Sequence, residues 1–597
     1  MARQSIRPTQ FIYSLGPGAI IETTDGPQLI LSYANSRLFK DHDPWGVEYA
    51  SKFEIVEPRL SPSIVMSKIG TTPPVNGVFI FSLPTNAYLG FPENSILYRT
   101  VPFPKWAHCQ RHQVIYYPST SPLKGCPNCR ITSDTELVSK AGREAVRFVL
   151  ACRNGHLDEV PWNLIVEHSP QNCDSFAYRW KGAGGGLRNV ELECVKCGKT
   201  ANFGKAYNAK WKCTGRTPEN LTPPIRCTEV AQITQRLAAN LRMTDIMEIL
   251  TIPPTDGHLH RHLASTGLYN DVMIHPVSSK FEFMERVRRF YALQLIDEYT
   301  VQYFDGVDEV SILAAIADLE NLRTKDSATS LTELKSHELR ELQNAATYGH
   351  VRGVGPDNYF EVYKDEVEYV TGPNGISFRV TPIRRLRVVT VQTGYRRLST
   401  DPNESRLVET SFADEKNRLG FAGAERFGEG LFVDIRDWSG PFPKPGPFAN
   451  SWMSDPSRDP LVNWPEFVWW HTLSHRLINS LAIDSGYSAT SLRERVYPRM
   501  LSQPVRSTGG VLLFTGQSSS DGSLGGLISQ AGRFAQILDS ALYSLEDCSN
   551  DPLCGDSIFT PGKANGAACY ACELVSETAC EFMNRGLDRN LLIECHP

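Results

Sequence analysis

The chain has 597 residues, is 41% hydrophobic and 21% charged, and carries a net charge of −5. That balance describes a soluble chain of roughly three to five folded domains. It excludes a protein coated in positive charge, so nucleic-acid binding has to come from a local basic face. No apolar run is long enough to cross a bilayer and none sits where a signal peptide would. The fifteen cysteines therefore point to a reducing, cytoplasmic setting, where thiolates hold metal rather than pair with one another.

Residues 1–105 are expected to form a β-rich N-terminal domain. Ile6 to Tyr13 leads into Gly16-Pro17-Gly18-Ala19-Ile20-Ile21, read as a turn between short apolar runs. It is not a phosphate loop, because Pro17 lacks an N–H and no lysine with a following hydroxyl residue completes the motif.

Residues 106–230 read as a double four-cysteine zinc-binding region. One set is Cys109, Cys126, Cys129 and Cys152; the next is Cys194, Cys197, Cys213 and Cys227. A third set closes the chain: Cys554, Cys569, Cys572 and Cys580. Each contains a CxxC pair, which places two sulfurs on one knuckle, and two further cysteines complete a tetrahedral shell. Three structural zinc ions in zinc-ribbon-like modules are the expectation. Arg147 to Cys152 looks like a buried strand delivering its cysteine, with Lys210 to Cys213 of similar shape. His156 competes with Cys152 for the fourth position of the first set, and Cys152 is preferred. Cys173 falls between the sets and reads as an ordinary buried thiol.

Residues 231–345 form a central helical region, with helical spacing in Val230 to Leu241, Phe283 to Phe304, Ser311 to Leu322 and Leu331 to Ala345. His258, His260 and His262 alternate, but the Pro, Gly and Thr around them favour a surface loop.

Residues 346–464 form a β-rich basic region. Arg379, Arg384, Arg385, Arg387, Arg396 and Arg397 crowd the strands around Leu386 to Val391, with Tyr395 among them. Arginines mixed with an aromatic suit phosphate contact and base stacking, so Arg384, Arg385, Arg387, Arg396 and Arg397 are the candidate nucleic-acid residues. The competing reading is a solvated face paired with Asp365, Glu366 and Glu368. Phe427 to Val433 is read as a strand with a glycine turn, and 437–464 as a long loop.

Residues 465–597 open on a helix that sets His471 and His475 on one face, four apart. The zinc-protease motif needs glutamate after the first histidine, and Thr472 stands there. Core or interface histidines are the preferred reading. Gly510 to Thr515 is a buried strand, followed by a glycine-rich turn at Asp521 to Leu527 and a helix from Ile528 to Leu545. The overall expectation is an α+β multidomain chain ending in an α/β zinc-binding module.

Taken together, His471 to His475, Leu492 to Tyr497, the Ser523 to Leu527 turn and the terminal run Cys554, Cys569-Tyr570-Ala571-Cys572, Cys580, Asn584, Leu587-Asp588-Arg589 resemble the zinc-binding C-terminal module of certain superfamily 2 helicases. With Arg7-Pro8-Thr9-Gln10, Gly16-Pro17-Gly18, and Cys152 and His156 followed by Pro161-Trp162, the whole chain resembles the DrmB family, the stand-alone zinc-binding proteins of the DISARM anti-phage system. The loop before Cys569 is longer than in the helicases, so Cys548 and Cys554 are rival first ligands. No complete Walker A loop is present.

The resemblance implies a non-catalytic accessory subunit that binds a DrmA-like superfamily 2 helicase and helps it engage foreign DNA. The alternatives are a scaffold that never touches DNA, and a metal-dependent hydrolase built on His471 and His475.

Overall fold

The computed structural model describes residues 6–24, 26–35, 53–55, 57, 59–60, 62–70, 77–87, 91–93, 97–118, 126–129, 143–167, 173–182, 186–252, 259, 263, 268, 271–272, 275–324, 331–351, 360–399, 404–413, 418–436, 438, 442–454, 464–498, 509–516, 525–543, 545–576 and 579–597. His258, His260, His262 and the Asp521 to Leu524 part of the glycine-rich turn lie outside these residues. The chain forms two compact units. One comprises residues 1–55, 68–247 and 390–424; the other comprises 56–67, 248–389 and 425–597. Helices and sheets are mixed throughout, as an α+β multidomain chain requires.

In the first unit, an antiparallel six-stranded sheet has the order Thr200–Asn202, Glu191–Cys194, Ala177–Lys181, Val114–Tyr116, Ala107–Cys109, Arg143–Ala145. A four-stranded sheet has the order Trp211–Lys212, Val230–Gln235, Phe148–Cys152, Leu157–Asp158. Trp106, Trp162, Tyr178 and Phe203 belong to one buried cluster that draws on both sheets. Trp162 and Phe203 stack with centroids 5.6 Å apart. Val230–Gln235 is a strand where a helix was expected. Its apolar residues alternate, with Ala231 and Ile233 buried and Val230 and Gln232 exposed, so period two prevails over the helical match.

The Ile6–Tyr13 run also differs from the strand expectation. Pro8–Tyr13 is a short helix that opens on its proline, because a fixed φ and a missing N–H suit the first helical position. Gly18 has φ +80°, and a Cβ there would lie 2.5 Å from the Tyr395 ring. Arg242 donates to the Pro17 carbonyl at 2.8 Å, and Arg397 donates to that of Gly18 at 3.3 Å. The Gly-Pro-Gly turn therefore offers carbonyls to arginines, the opposite polarity to a phosphate loop.

In the second unit, Lys280–Ala292, Glu298–Gly306, Glu309–Thr324 and Leu331–Tyr348 are helices. Phe283, Val287, Phe304 and Ile312 share one buried cluster. The central sheet has the order His350–Val351, Phe360–Val362, Ser377–Arg396, Leu419–Ile435, Gly510–Thr515, Leu492–Tyr497. The boundary between the units falls inside both long strands. Phe427–Val433 has no turn, since Leu419–Ile435 is one continuous strand. The stretch expected to be a long loop contains the helix Pro447–Trp452. Helix Pro465–Asp484 lays Phe467, Trp470, Leu473 and Leu477 into the largest buried cluster, together with Val511 and Leu513 of the sheet. The same helix turns His471 and His475 toward the C-terminal loops.

Candidate metal centres

The described residues contain five clusters of metal-ligating side chains whose donor atoms all lie within 4.8 Å of one another. They partition the cysteines differently from the sequence reading. The first holds Cys109, His112, Cys126 and Cys129. Strands Ala107–Cys109 and Val114–Tyr116 pair as a hairpin, and its turn carries His112. His112 Nδ1 stands 3.6 Å from Cys109 Sγ, 3.7 Å from Cys126 Sγ and 3.4 Å from Cys129 Sγ. Cys152 is not part of this group. The missed signal was Cys109-x-x-His112, a knuckle of the same spacing as Cys126-x-x-Cys129.

Cys152 joins His156, Cys213 and Cys227 instead. Strand Phe148–Cys152 delivers it, as expected, and Gly155 turns the chain with φ +86°. His156 Nδ1 is 3.3 Å from Cys152 Sγ and 3.4 Å from Cys213 Sγ, and the two sulfurs are 3.5 Å apart. Cys152 and His156 are therefore companions, not rivals. The Gly215 N–H donates to Cys213 Sγ at 3.3 Å, and Asn154 Nδ2 donates to Cys227 Sγ at 3.6 Å. Such bonds favour the thiolate form.

Cys194 and Cys197 group with Cys173, which is no isolated thiol. Cys173 and Cys194 sulfurs are 3.7 Å apart. The pairing of Tyr178 with Cys194 sets the knuckle at the strand end. Gly198-Lys199-Thr200 closes this knuckle, with Cys194 N bonded to the Lys199 carbonyl at 2.8 Å. The group has three donors among the described residues.

At the C-terminal end, Cys548, Cys554, Cys569 and Cys572 form a four-thiol cluster. The sulfur separations are 3.4 Å for Cys548 and Cys569, 3.7 Å for Cys554 and Cys572, and 3.7 Å for Cys569 and Cys572. Both rival first ligands are thus used. Burial pushes the Cys554 thiol up to about 12. Burial also raises Cys569, but hydrogen bonds from the Asn550 side chain, the Ala571 N–H and the neighbouring thiols outweigh it and bring the group to about 6. Arg589 Nη2 donates to Asp551 Oδ1 at 2.7 Å, and Asp551 in turn accepts from the N–H groups of Cys548 and Gly555. The Leu587-Asp588-Arg589 motif therefore supports the loop that carries Cys548 and Cys554. Asp588 accepts from Trp452 Nε1 at 2.8 Å.

Cys580 lies apart from that set, in a fifth cluster with His471, His475 and Glu494. All four side chains are buried. Glu494 comes from strand Leu492–Tyr497. Burial alone would raise its carboxyl, but His471 and His475 hold it well below the usual range. The same pairing raises His475 against its own burial.

The arginine set is divided. Arg387, Arg396 and Arg397 are buried. Arg387 pairs with Glu57 at 3.0 Å and Glu425 at 2.7 Å. Arg397 pairs with Glu219 at 3.3 Å, and Tyr395 donates its hydroxyl proton to the same carboxylate. Arg396 lies 3.5 Å from Asp245 and donates to the Ser405 carbonyl. These three guanidinium groups are turned inward onto carboxylates and carbonyls of the chain itself. Arg384 is exposed and held by Glu366, with Nε to Oε2 at 2.9 Å. Arg385 lies over the Phe427 ring at 4.7 Å.

A mixed helix-and-sheet chain with several cysteine–histidine clusters, ending in a cysteine-rich module, defines the class of multidomain proteins with metal-binding modules. Two family models match it: a domain of unknown function, DUF8724, over residues 7–243, and the MrfA Zn-binding domain over residues 473–573. The chain is similar to the DISARM protein DrmB of Bacillus paralicheniformis, at 25% identity over 515 residues that cover 79% of this chain and 83% of that one. The resemblance seen in the motifs thus extends over most of the chain. A solved structure, the DUF1998 helicase MrfA bound to DNA, superposes on 32% of this chain and 21% of its own, with 8% identity and a TM-score of 0.18. That likeness is too slight to define a shared arrangement. No described helix is long and apolar enough to cross a membrane.

Proposed function

We propose that this chain is a non-catalytic, zinc-stabilised accessory subunit of a cytoplasmic anti-phage complex of the DISARM type. It pairs with a DrmA-like superfamily 2 helicase and aids that helicase in handling foreign DNA. The similarity to DrmB over most of both chains carries the reading, and the match to the MrfA Zn-binding domain supports it. Zinc sits in the cluster of Cys109, His112, Cys126 and Cys129, in that of Cys152, His156, Cys213 and Cys227, and in the four-thiol cluster of Cys548, Cys554, Cys569 and Cys572. Each offers four donors of the kind that structural zinc takes, a closed shell with no position for an activated water. The metal's contribution is to fold small loops that bury little apolar surface of their own. The hydrolase alternative loses its footing, because His471 and His475 face Glu494 and Cys580 in a buried cluster.

A second reading, a scaffold without DNA contact, is favoured by the inward-turned Arg387, Arg396 and Arg397. Co-purification with the helicase, followed by gel-shift of each protein alone and of the complex, tests both. The accessory reading expects a stable complex that holds DNA more tightly than the helicase alone. A complex with unchanged DNA affinity leaves the scaffold. No complex at all overturns both.

A further inference from the structure

We infer that His471, His475, Glu494 and Cys580 form an additional closed metal site of the zinc type, separate from the four-thiol cluster of the same module. The inference goes beyond the accessory role and does not depend on it. His471 Nε2 lies 3.1 Å from Cys580 Sγ and 2.8 Å from Glu494 Oε1, and His475 Nε2 lies 3.3 Å from the same oxygen. Four donors around one tetrahedral zinc stand roughly 3.3–3.8 Å apart when metal–ligand bonds are about 2.0–2.3 Å. One of these separations lies at the lower end of that range and the other two below it, so outward movement of the donors by up to about half an ångström admits the ion.

The outer hydrogen bonds are those of a metal site. A carbonyl oxygen only accepts, so His471 Nδ1 donates to the Gly586 carbonyl at 3.1 Å and His475 Nδ1 donates to that of Glu573 at 2.7 Å. Both rings are thereby fixed with Nε2 pointing into the cluster, the arrangement that second-shell partners impose on metal-bound histidines. Cys580 Sγ accepts from the N–H groups of Phe582 at 3.3 Å and Asn584 at 3.1 Å, bonds that favour the thiolate, whereas burial and the Glu494 carboxylate push the metal-free thiol well up. Asn584 is itself clamped to both backbone groups of Val575. Ser474 donates to the second oxygen of Glu494.

Charge points the same way. As metal ligands, two neutral imidazoles, one carboxylate and one thiolate would carry −2, which a divalent cation cancels inside a fully buried space. Protons on both Nε2 atoms would also balance the charge, but each proton serves one acceptor. His471 Nε2 faces two anionic acceptors at once, and two imidazolium ions would be stripped of water. One cation at the centre satisfies all four donors together. Two nitrogens, an oxygen and a sulfur suit zinc or another borderline divalent ion rather than magnesium or calcium, which take oxygen shells.

The test is anomalous diffraction from crystals of the full zinc-loaded chain, with data above and below the zinc edge. The expected map shows a zinc peak between His471 Nε2, His475 Nε2, Glu494 and Cys580 Sγ, besides the peak among Cys548, Cys554, Cys569 and Cys572. A peak at the four-thiol cluster with none here overturns this inference and leaves the zinc-stabilised subunit standing. Peaks at neither position overturn both. In solution, C580S is expected to lower bound zinc by one equivalent while retaining the four-thiol ion, and a full zinc complement in C580S overturns the site.

Discussion

His471 Nε2 stands 3.1 Å from Cys580 Sγ, although 109 residues separate them in sequence. The contact fastens the helix that carries His471 to the loops at the chain's end, within a single unit. The chemistry of this chain is of that kind throughout: small cysteine-rich loops held on strands and helices by side chains from elsewhere in the fold.

The first prediction concerns the hairpin histidines. His112 belongs to the first cluster, whereas His108 lies on the strand before it, without a cluster partner. H112A should remove one zinc equivalent and expose Cys109, Cys126 and Cys129 to thiol reagents. H108A should keep the full complement. Equal metal content in the two variants, by elemental analysis, would contradict the assignment of His112.

A second prediction separates folding from DNA contact. R397A removes the buried guanidinium partner of Glu219 and of the Gly18 carbonyl. Breaking a buried pair in this way costs about 3–5 kcal/mol. The melting temperature should fall, while the salt dependence of DNA binding by the helicase complex stays put. The paired substitution R384A/R385A should do the reverse if these residues meet phosphates, flattening the salt slope by roughly 0.7–0.9 of a log unit per lost contact. A flattened slope in R397A with unchanged melting would show that the buried reading is wrong.

The third prediction is a pH dependence at Glu159. Burial raises its carboxyl to about 7, although the Lys105 N–H donates to it at 2.6 Å. An acid whose folded pKa exceeds its unfolded value binds more protons when folded, so its contribution to stability falls as pH rises. Between about pH 4.5 and pH 7, wild type should lose on the order of 2–3 kcal/mol relative to E159Q. Parallel stability curves for the two proteins across that window would refute it. Comparing the two chains cancels the effect of acid on the metal clusters, which is common to both.

Much of this was legible in sequence where the signal was local. The strands Phe148–Cys152 and Gly510–Thr515 and the helices after residue 280 follow from unbroken apolar runs or from periodicity. The two-knuckle spacing of Cys109-x-x-His112 and Cys126-x-x-Cys129 was equally local and went unread, because cysteine alone was counted. The partition of the other ligands was not legible. Cys152 meets Cys213 across 61 residues, because Val230–Gln235 pairs with Phe148–Cys152 on one side and with Trp211–Lys212 on the other. Nearness in sequence therefore assigned Cys152 to the wrong set. The arginines misled for a related reason. Alternation along a strand says which residues share a face, and it cannot say that Glu57 or Glu219 will cover that face.

A fourth prediction concerns nucleotide. With no complete Walker A loop in the sequence, the chain alone should hydrolyse no ATP, and the helicase should supply all turnover in the complex. Turnover by this chain, free of helicase and sensitive to substitution of its own residues, would end the accessory reading.

The central claim is that zinc-stabilised modules serve a partner motor, and one measurement bears on it most directly. The purified chain and its helicase are mixed, and the complex is followed by light scattering with simultaneous zinc quantification, before and after treatment with a strong chelator. The account predicts a stable complex that carries zinc in the three complete clusters at least, and that dissociates as the chelator removes the metal. A complex that forms and persists with a zinc-free chain would contradict it.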